Sequence, residues 1–352
     1  MRNITRLTCW LCFVLLGAFS PAGVAPAPTL KIIGGKNAKA GAWPWMTALV
    51  FRGSDAFLGQ FCGGTLVAPD WVLTAAHCVH KLTPAQLDAL VGRTDLDATD
   101  GERIAVIEIV IHPNFNPGPL YDNDIALLKL QHPAAVAPVQ TLDHFSVQDD
   151  PGETAIVLGW GALSGASPPF FPTILQQVPI PIAAPEQCGF DIIDTMLCAG
   201  YKGSDRDTCA GDSGGPLLVF DTESGIWRQA GITSFGFGPC GTVGIYTRLE
   251  QFKTFISDTL CRPEEKPQTP ELSLSVADGI ATATWTQAPN DEGYRLNYAP
   301  YPELNPIYSL DMNQAREISV ALQPGDAFFV AISAYKDNCR SQFSTVEHFT
   351  VP

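Results

Sequence analysis

Between residues 40 and 250 the chain is a succession of short β-prone runs broken by glycine and proline, such as WVLTAA, RIAVIEIVI, TAIVLGWG and GIYTRL. β-Branched and aromatic residues suit a pleated, half-buried surface, while Gly and Pro interrupt it at turns. With few helical periods to compete, this pattern predicts an all-β barrel or sandwich. One helix is expected at LEQFKTFISDTL, residues 249 to 260, where Phe252, Phe255 and Ile256 recur at helical spacing. The next segment, CRPEEKPQTPE, holds three prolines and three glutamates in eleven residues, a linker composition.

The first 25 residues read as a secretory signal, with Arg2 and Arg6 ahead of the apolar run Leu11 to Phe19 and small residues after it. That run is shorter than the ~20 residues a spanning helix needs, and no later segment qualifies. A soluble exported protein, extracellular or periplasmic, is therefore expected. Ten cysteines are present, of which Cys9 and Cys12 leave with the signal. The other eight form an even set in an oxidising compartment, so disulfides are expected. Among these eight no CxxC pair, and in the chain no histidine cluster, offers a metal site, and neither a metal nor another cofactor is predicted. The net charge of −15, without a basic block, argues against nucleic acid as a partner.

The segment TCAGDSGGPL places Ser213 between an acid and paired glycines, which let backbone N–H groups converge on one spot. A serine hydroxyl needs a base before it acts as a nucleophile. LTAAHC offers His77, and DNDIALLKL offers Asp124, with Asp122 as a rival acid.

In the order His, Asp, Ser, these segments resemble the chymotrypsin/trypsin family of serine proteases. The resemblance rests on KIIGG, CGGTLVAPDWVLTAAHC, DNDIALLKL, GWG, CAGDSGGPL, ITSFG and GIYTRL, and covers roughly residues 32 to 260. It implies two six-stranded antiparallel β-barrels closed by a C-terminal helix. It also implies Ser213 as nucleophile, His77 as general base and Asp124 as the orienting acid, because the family's acid immediately precedes Ile-Ala-Leu. The N–H groups of Gly211 and Ser213 would form an oxyanion hole. Asp207, Ser234, Gly236 and Gly244 would form a pocket for Arg or Lys side chains. Cleavage between Lys31 and Ile32 would free an α-amino group to pair with Asp212. The implied disulfides are Cys62 with Cys78, Cys188 with Cys198, and Cys209 with Cys240. Cys261 and Cys339 could pair, stay free or bond another chain.

Residues 271 to 352 alternate in period two, in LSLSV, ATATWT, YRLNY, REISVAL and AFFVAISAY, and predict a small β-sandwich. LQPGDAFFVAISA with Trp285 resembles a fibronectin type III domain, although Phe328 stands where that family commonly has a tyrosine. The expected organisation is a signal peptide (1–25), an activation propeptide (26–31), a trypsin-like domain (32–262), a linker (263–270) and the sandwich (271–352). Expected partners are Arg- or Lys-containing protein substrates, an activating protease, which could be the enzyme itself, and a surface or protein ligand of the C-terminal module. The alternative is a binding or adhesion protein that keeps the protease fold without its catalysis.

Overall fold

The computed structural model describes residues 35–118, 120–139, 149–163, 168–189, 191–200, 208–222, 225–236, 243–289, 291–336 and 339–352. The expected signal and propeptide, with Lys31 and Ile32, lie outside these residues, as do Asp207 and Cys240. Among the described residues no helix is long and apolar enough to cross a membrane.

The chain opens with β1 (Lys36–Asn37) and β2 (Met46–Phe51), then the single turn α1 (Ala56–Gly59), whose first N–H groups are capped by Asp55. There follow β3 (Gln60–Ala68), β4 (Trp71–Thr74), the turn α2 (Ala76–Val79), β5 (Leu87–Val91), β6 (Glu102–Ile111) and β7 (Ala126–Leu130). Strands β2 to β7 close a barrel in the order β2-β3-β4-β7-β6-β5.

Strand periodicity explains how one barrel serves two cores. On β4, Val72 points into the barrel with Leu49, Leu66, Leu87 and Leu128, while Trp71 and Leu73 point outward. The outward set, with Ile125 and Leu127, is covered by the C-terminal helix. That helix starts as a 3₁₀ turn over Leu249–Phe252 and continues as α3 (Lys253–Leu260). Phe252, Ile256 and Leu260, four residues apart, are the buried stripe.

A second, seven-stranded sheet comprises β8 (Thr154–Gly159), β9 (Gln176–Pro181), β10 (Met196–Ala199), β11 (Pro216–Asp221), β12 (Ile226–Gly236) and β13 (Gly244–Arg248) together with β1, in the order β1-β9-β8-β11-β12-β13-β10. A bridge between Ile182 and Ala199 brings the end strand β10 against the chain leaving β9, so the sheet curls on itself. Met46, Ala48 and Val50 of the barrel pack with Leu158, Trp160 and Leu218 of this sheet in one apolar cluster. The barrel and the second sheet thus share one core where they meet.

Downstream lie β14 (Leu272–Ala277), β15 (Ile280–Trp285), β16 (Gly293–Pro300), β17 (Tyr308–Asn313), β18 (Glu317–Ala321), β19 (Ala327–Lys336), β20 (Cys339–Arg340) and β21 (Glu347–Thr350). They form a three-stranded sheet, β14-β15-β18, and a second sheet, β17-β16-β19-β20, with β21 also paired to β19. Alternate residues of both sheets meet around Trp285, Tyr294, Leu296 and Ile332. Disulfides join Cys62 to Cys78, Cys188 to Cys198 and Cys261 to Cys339, so the last pair is neither free nor intermolecular. This third bond fastens the end of α3 to β20, and next to it Arg262 Nη2 donates to both carboxylate oxygens of Glu108 of β6, at 2.6 and 2.7 Å. The segment expected as a linker begins with a 3₁₀ turn, Pro263–Glu265.

His112, just after β6, packs edge-on against Phe252 and Phe255 at 5.2 and 4.9 Å. Burial there lowers its pKa below the ordinary 6.5, with nearby Asp122 partly opposing. The folded form therefore binds this proton less readily than the unfolded chain, and stability falls as pH drops below about 6.5. His112→Phe is expected to flatten that limb of the pH dependence, read from thermal unfolding at a series of pH values.

Candidate active site

His77 lies in α2, whose short turn follows the buried strand β4 and is clamped by the Cys62–Cys78 disulfide. Asp124 precedes β7 and is 1% exposed. Its Oδ2 accepts from His77 Nδ1 at 2.7 Å and its Oδ1 from the His77 backbone N–H at 2.8 Å. Since a carboxylate only accepts, Nδ1 carries the proton and Nε2 is left with its lone pair, the tautomer a base requires. The Ser234 hydroxyl also donates to Oδ2, and Thr247 Oγ1 donates to the Asp124 carbonyl at 2.8 Å. Asp122, the rival acid, instead accepts from Thr195 Oγ1 at 2.9 Å.

Ser213 reaches this region through backbone contact between the two units. Its carbonyl accepts from Gly63 N–H of β3 at 2.7 Å. The next residue, Gly214, has φ +79°, and a Cβ there would fall 2.2 Å from Thr74 Oγ1 and 2.5 Å from the Gly63 carbonyl. Nothing larger than glycine fits between Ser213 and the histidine loop. His77 Nε2 lies 3.7 Å from Cys78 Sγ, and among the described residues no hydrogen bond joins it to the Ser213 hydroxyl in this conformation.

Two peptide planes beside Ser213 are fixed by capture of their carbonyls. Ala162 N–H holds the Ala210 carbonyl at 2.8 Å, and Gly215 N–H holds the Asp212 carbonyl at 3.0 Å. In a trans peptide the N–H points opposite to the C=O. The N–H groups of Gly211 and Ser213 are therefore turned away from these anchors, and among the described residues neither meets an acceptor. Gly211 adopts φ +99°, open to glycine alone, and its own carbonyl is held by Gln60 Nε2 at 3.0 Å.

Asp212 is fully buried, with Gly161 N–H on Oδ1 and Cys209 N–H on Oδ2, each at 2.8 Å. A Cβ on Gly159 would lie 1.9 Å from Oδ1, and one on Gly161 2.4 Å from the carboxyl carbon. The glycines of GWG thus make room for a carboxylate. Of the positions assigned to a substrate pocket, Gly236 and Gly244 are partners across β12 and β13, and the Thr208 hydroxyl would lie 3.2 Å from a Cβ on Gly244. Asp207 lies outside the described residues. At Ser234 a register shift between Thr233 and Phe235 accompanies a side chain bonded to Asp124, so its backbone is the part free to face a substrate.

Gln60 and Thr247 were invisible in the sequence because each acts on a backbone carbonyl remote from it. Tyr121 was equally hidden; its ring lies 5.2 Å from that of His77 and 6.0 Å from that of Phe235. Ligand atoms of Cys62, His77 and Cys78 lie within 4.8 Å of one another, but both sulfurs are bonded in a disulfide and cannot serve as thiolates. Cys209 is disulfide-bonded, and its expected partner Cys240 lies outside the described residues.

Gly214→Ala is expected to cost about 2 kcal/mol or more, since it combines a positive φ with backbone overlap. Gly41→Ala, at φ +71° with open space around it, should cost less. Denaturant midpoints of the two variants separate the overlap from the φ penalty.

Known sequences agree with this geometry. A model of the trypsin family matches residues 32–256. Kallikrein-1 of Mus musculus is 34% identical over 269 residues, which covers 70% of this chain and 97% of the relative. The chain belongs to the trypsin family of serine proteases.

Proposed function

We propose that the protein is a secreted, trypsin-like endopeptidase that hydrolyses peptide bonds after Arg or Lys and is made as a zymogen. The observation that carries this reading is the pairing of His77 Nδ1 with buried Asp124 beside two unengaged N–H groups, those of Gly211 and Ser213. In the proposed reaction the Ser213 hydroxyl turns to His77 Nε2 and loses its proton to it as Oγ attacks the scissile carbonyl. Asp124 stabilises the imidazolium so formed. The oxyanion settles between the Gly211 and Ser213 N–H groups, each such donor contributing about 3 to 4 kcal/mol to the transition state. Nε2–H then protonates the leaving amine, and water repeats the sequence on the acyl-enzyme.

For specificity, Asp207 is proposed as the carboxylate at the pocket floor, with Gly236 and Gly244 leaving its walls open and Ser234 contributing backbone. A Cys209–Cys240 bond would hold those walls together. For activation, cleavage at Lys31–Ile32 would deliver the Ile32 ammonium to Asp212. A buried carboxylate favours such a partner, and the loop carrying Gly211 and Ser213 would be ordered with it.

The curled seven-stranded sheet supports a second six-stranded barrel with β1 added at its edge. The two C-terminal sheets support a fibronectin type III-like sandwich over residues 271–352, joined through 263–270 to a protease domain at 32–262. Residues 1–25 and 26–31 would be signal and propeptide.

Hydrolysis of peptide anilides ending in Arg, Lys, Phe or Ala tests the reading. Activity on Arg and Lys alone, arising only after cleavage at Lys31 and absent in Ser213→Ala, is the expected result. No hydrolysis and no fluorophosphonate labelling after verified cleavage would instead favour a non-catalytic binding scaffold.

Gln60 is assigned as a positioning residue for the oxyanion site. Gln60→Glu keeps the shape but replaces the donor to the Gly211 carbonyl with an acceptor. A fall in kcat of about tenfold with KM little changed is expected, the signature of an interaction made in the transition state.

A further inference from the structure

We propose that the C-terminal module binds the hydrocarbon part of an uncharged lipid-like molecule in a hollow between its two sheets. At the end occupied by Trp285 and Tyr294, whose rings lie 5.9 Å apart, the space between the sheets is filled, and these residues are 5% and 1% exposed. At the other end β15 contributes only Ala281 and Ala283 to the inner face, opposite Leu296 and Val330. Side chains this short cannot bridge sheets packed about 10 Å apart. A cavity of about 330 Å³ results.

Its way out follows from the topology. Strand β17 ends one sheet and β18 ends the other, and the two do not pair. The hollow reaches this gap, where Leu310 and Val320 stand 41% and 43% exposed. Protein interiors are otherwise packed to crystal-like density, so an open apolar volume of this size forfeits contacts that a guest would restore. The volume lies within the range of small-molecule sites.

The chemistry of the guest is set by the lining. All twelve lining residues are apolar or aromatic, and the hydroxyl of Tyr298 is the only polar side-chain group among them. Apolar hollows stay dry and accept apolar guests. Residues 271–352 carry ten acidic against four basic side chains, so an anionic head group finds no general attraction at the mouth. A neutral molecule with an alkyl tail satisfies both conditions.

The test uses the full mature chain and N-phenyl-1-naphthylamine, an uncharged fluorophore, with dodecanol as competitor. Saturable one-to-one binding, displacement by dodecanol and a rise in the unfolding temperature on saturation are expected. Ala283→Phe fills the hollow, and Val320→Trp obstructs its mouth from an exposed position that leaves the packed end untouched. Each should weaken probe binding by about tenfold or more while leaving hydrolysis of peptide anilides unchanged. Absence of probe binding to the native chain, or binding that both variants retain, overturns the proposal. A dimer that Val320→Trp dissociates would also overturn it and give the hollow to a second copy.

Discussion

The carboxylate of Asp212 is the group around which the centre of the molecule is arranged. A fully buried anion is tolerated only when donors surround it, and among the described residues two separate segments supply them, through Gly161 and Cys209. The first segment is brought by the end of β8, the second by the approach to Ser213. Because Asp212 is bonded to both, it fixes the distance between them. The same GWG-Ala segment also holds the Ala210 carbonyl, so the acid and the Gly211 N–H share one support. Displacing Asp212 would therefore disturb the two peptide planes at the site as well as its own hydrogen bonds.

A second constraint is the closeness of backbone to backbone where the two units meet. A Cβ on Gly63 would approach Gly215 Cα at 3.0 Å, and one on Gly214 would approach the Gly63 carbonyl at 2.5 Å. Each unit keeps its own apolar interior, but near Gly63 and Thr74 on one side and Gly214 and Gly215 on the other the backbones come together with only the Thr74 hydroxyl and the end of Met46 beside them. This allows Ser213 to be positioned by a main-chain hydrogen bond from Gly63, while His77 is held at its backbone and its ring by the short, buried side chain of Asp124.

What the sequence revealed depended on whether a residue acts locally. β4, β6, β8 and β13 coincide with runs whose composition or alternation marks them, and the helix appears at 249–260, with its first turn wound as 3₁₀. His77 and Asp124 are also found together, because motif order identifies them. Gln60 is different: its partner is a carbonyl 151 positions away, and no local pattern distinguishes a glutamine that clamps a peptide from one that faces water. Ser234 shows what a motif leaves open. The ITSFG run places it beside the site, but only the irregularity in β12 shows that its hydroxyl meets Asp124.

The hollow in the C-terminal module obeys the same distinction. Period-two alternation correctly places Ala281 and Ala283 on the inner face of β15, with Thr282 between them on the outer face. Alternation gives the side to which a residue points; the distance it spans depends on the strand opposite. Alanines facing Leu296 and Val330 leave space that larger residues would close, as Trp285 does at the other end. The Cys261–Cys339 bond anchors this module through β20, in the same sheet as the packed region but away from the β17 edge. Anchoring at one edge leaves the opposite edge strands without a covering layer, and that is the edge at which the apolar hollow opens.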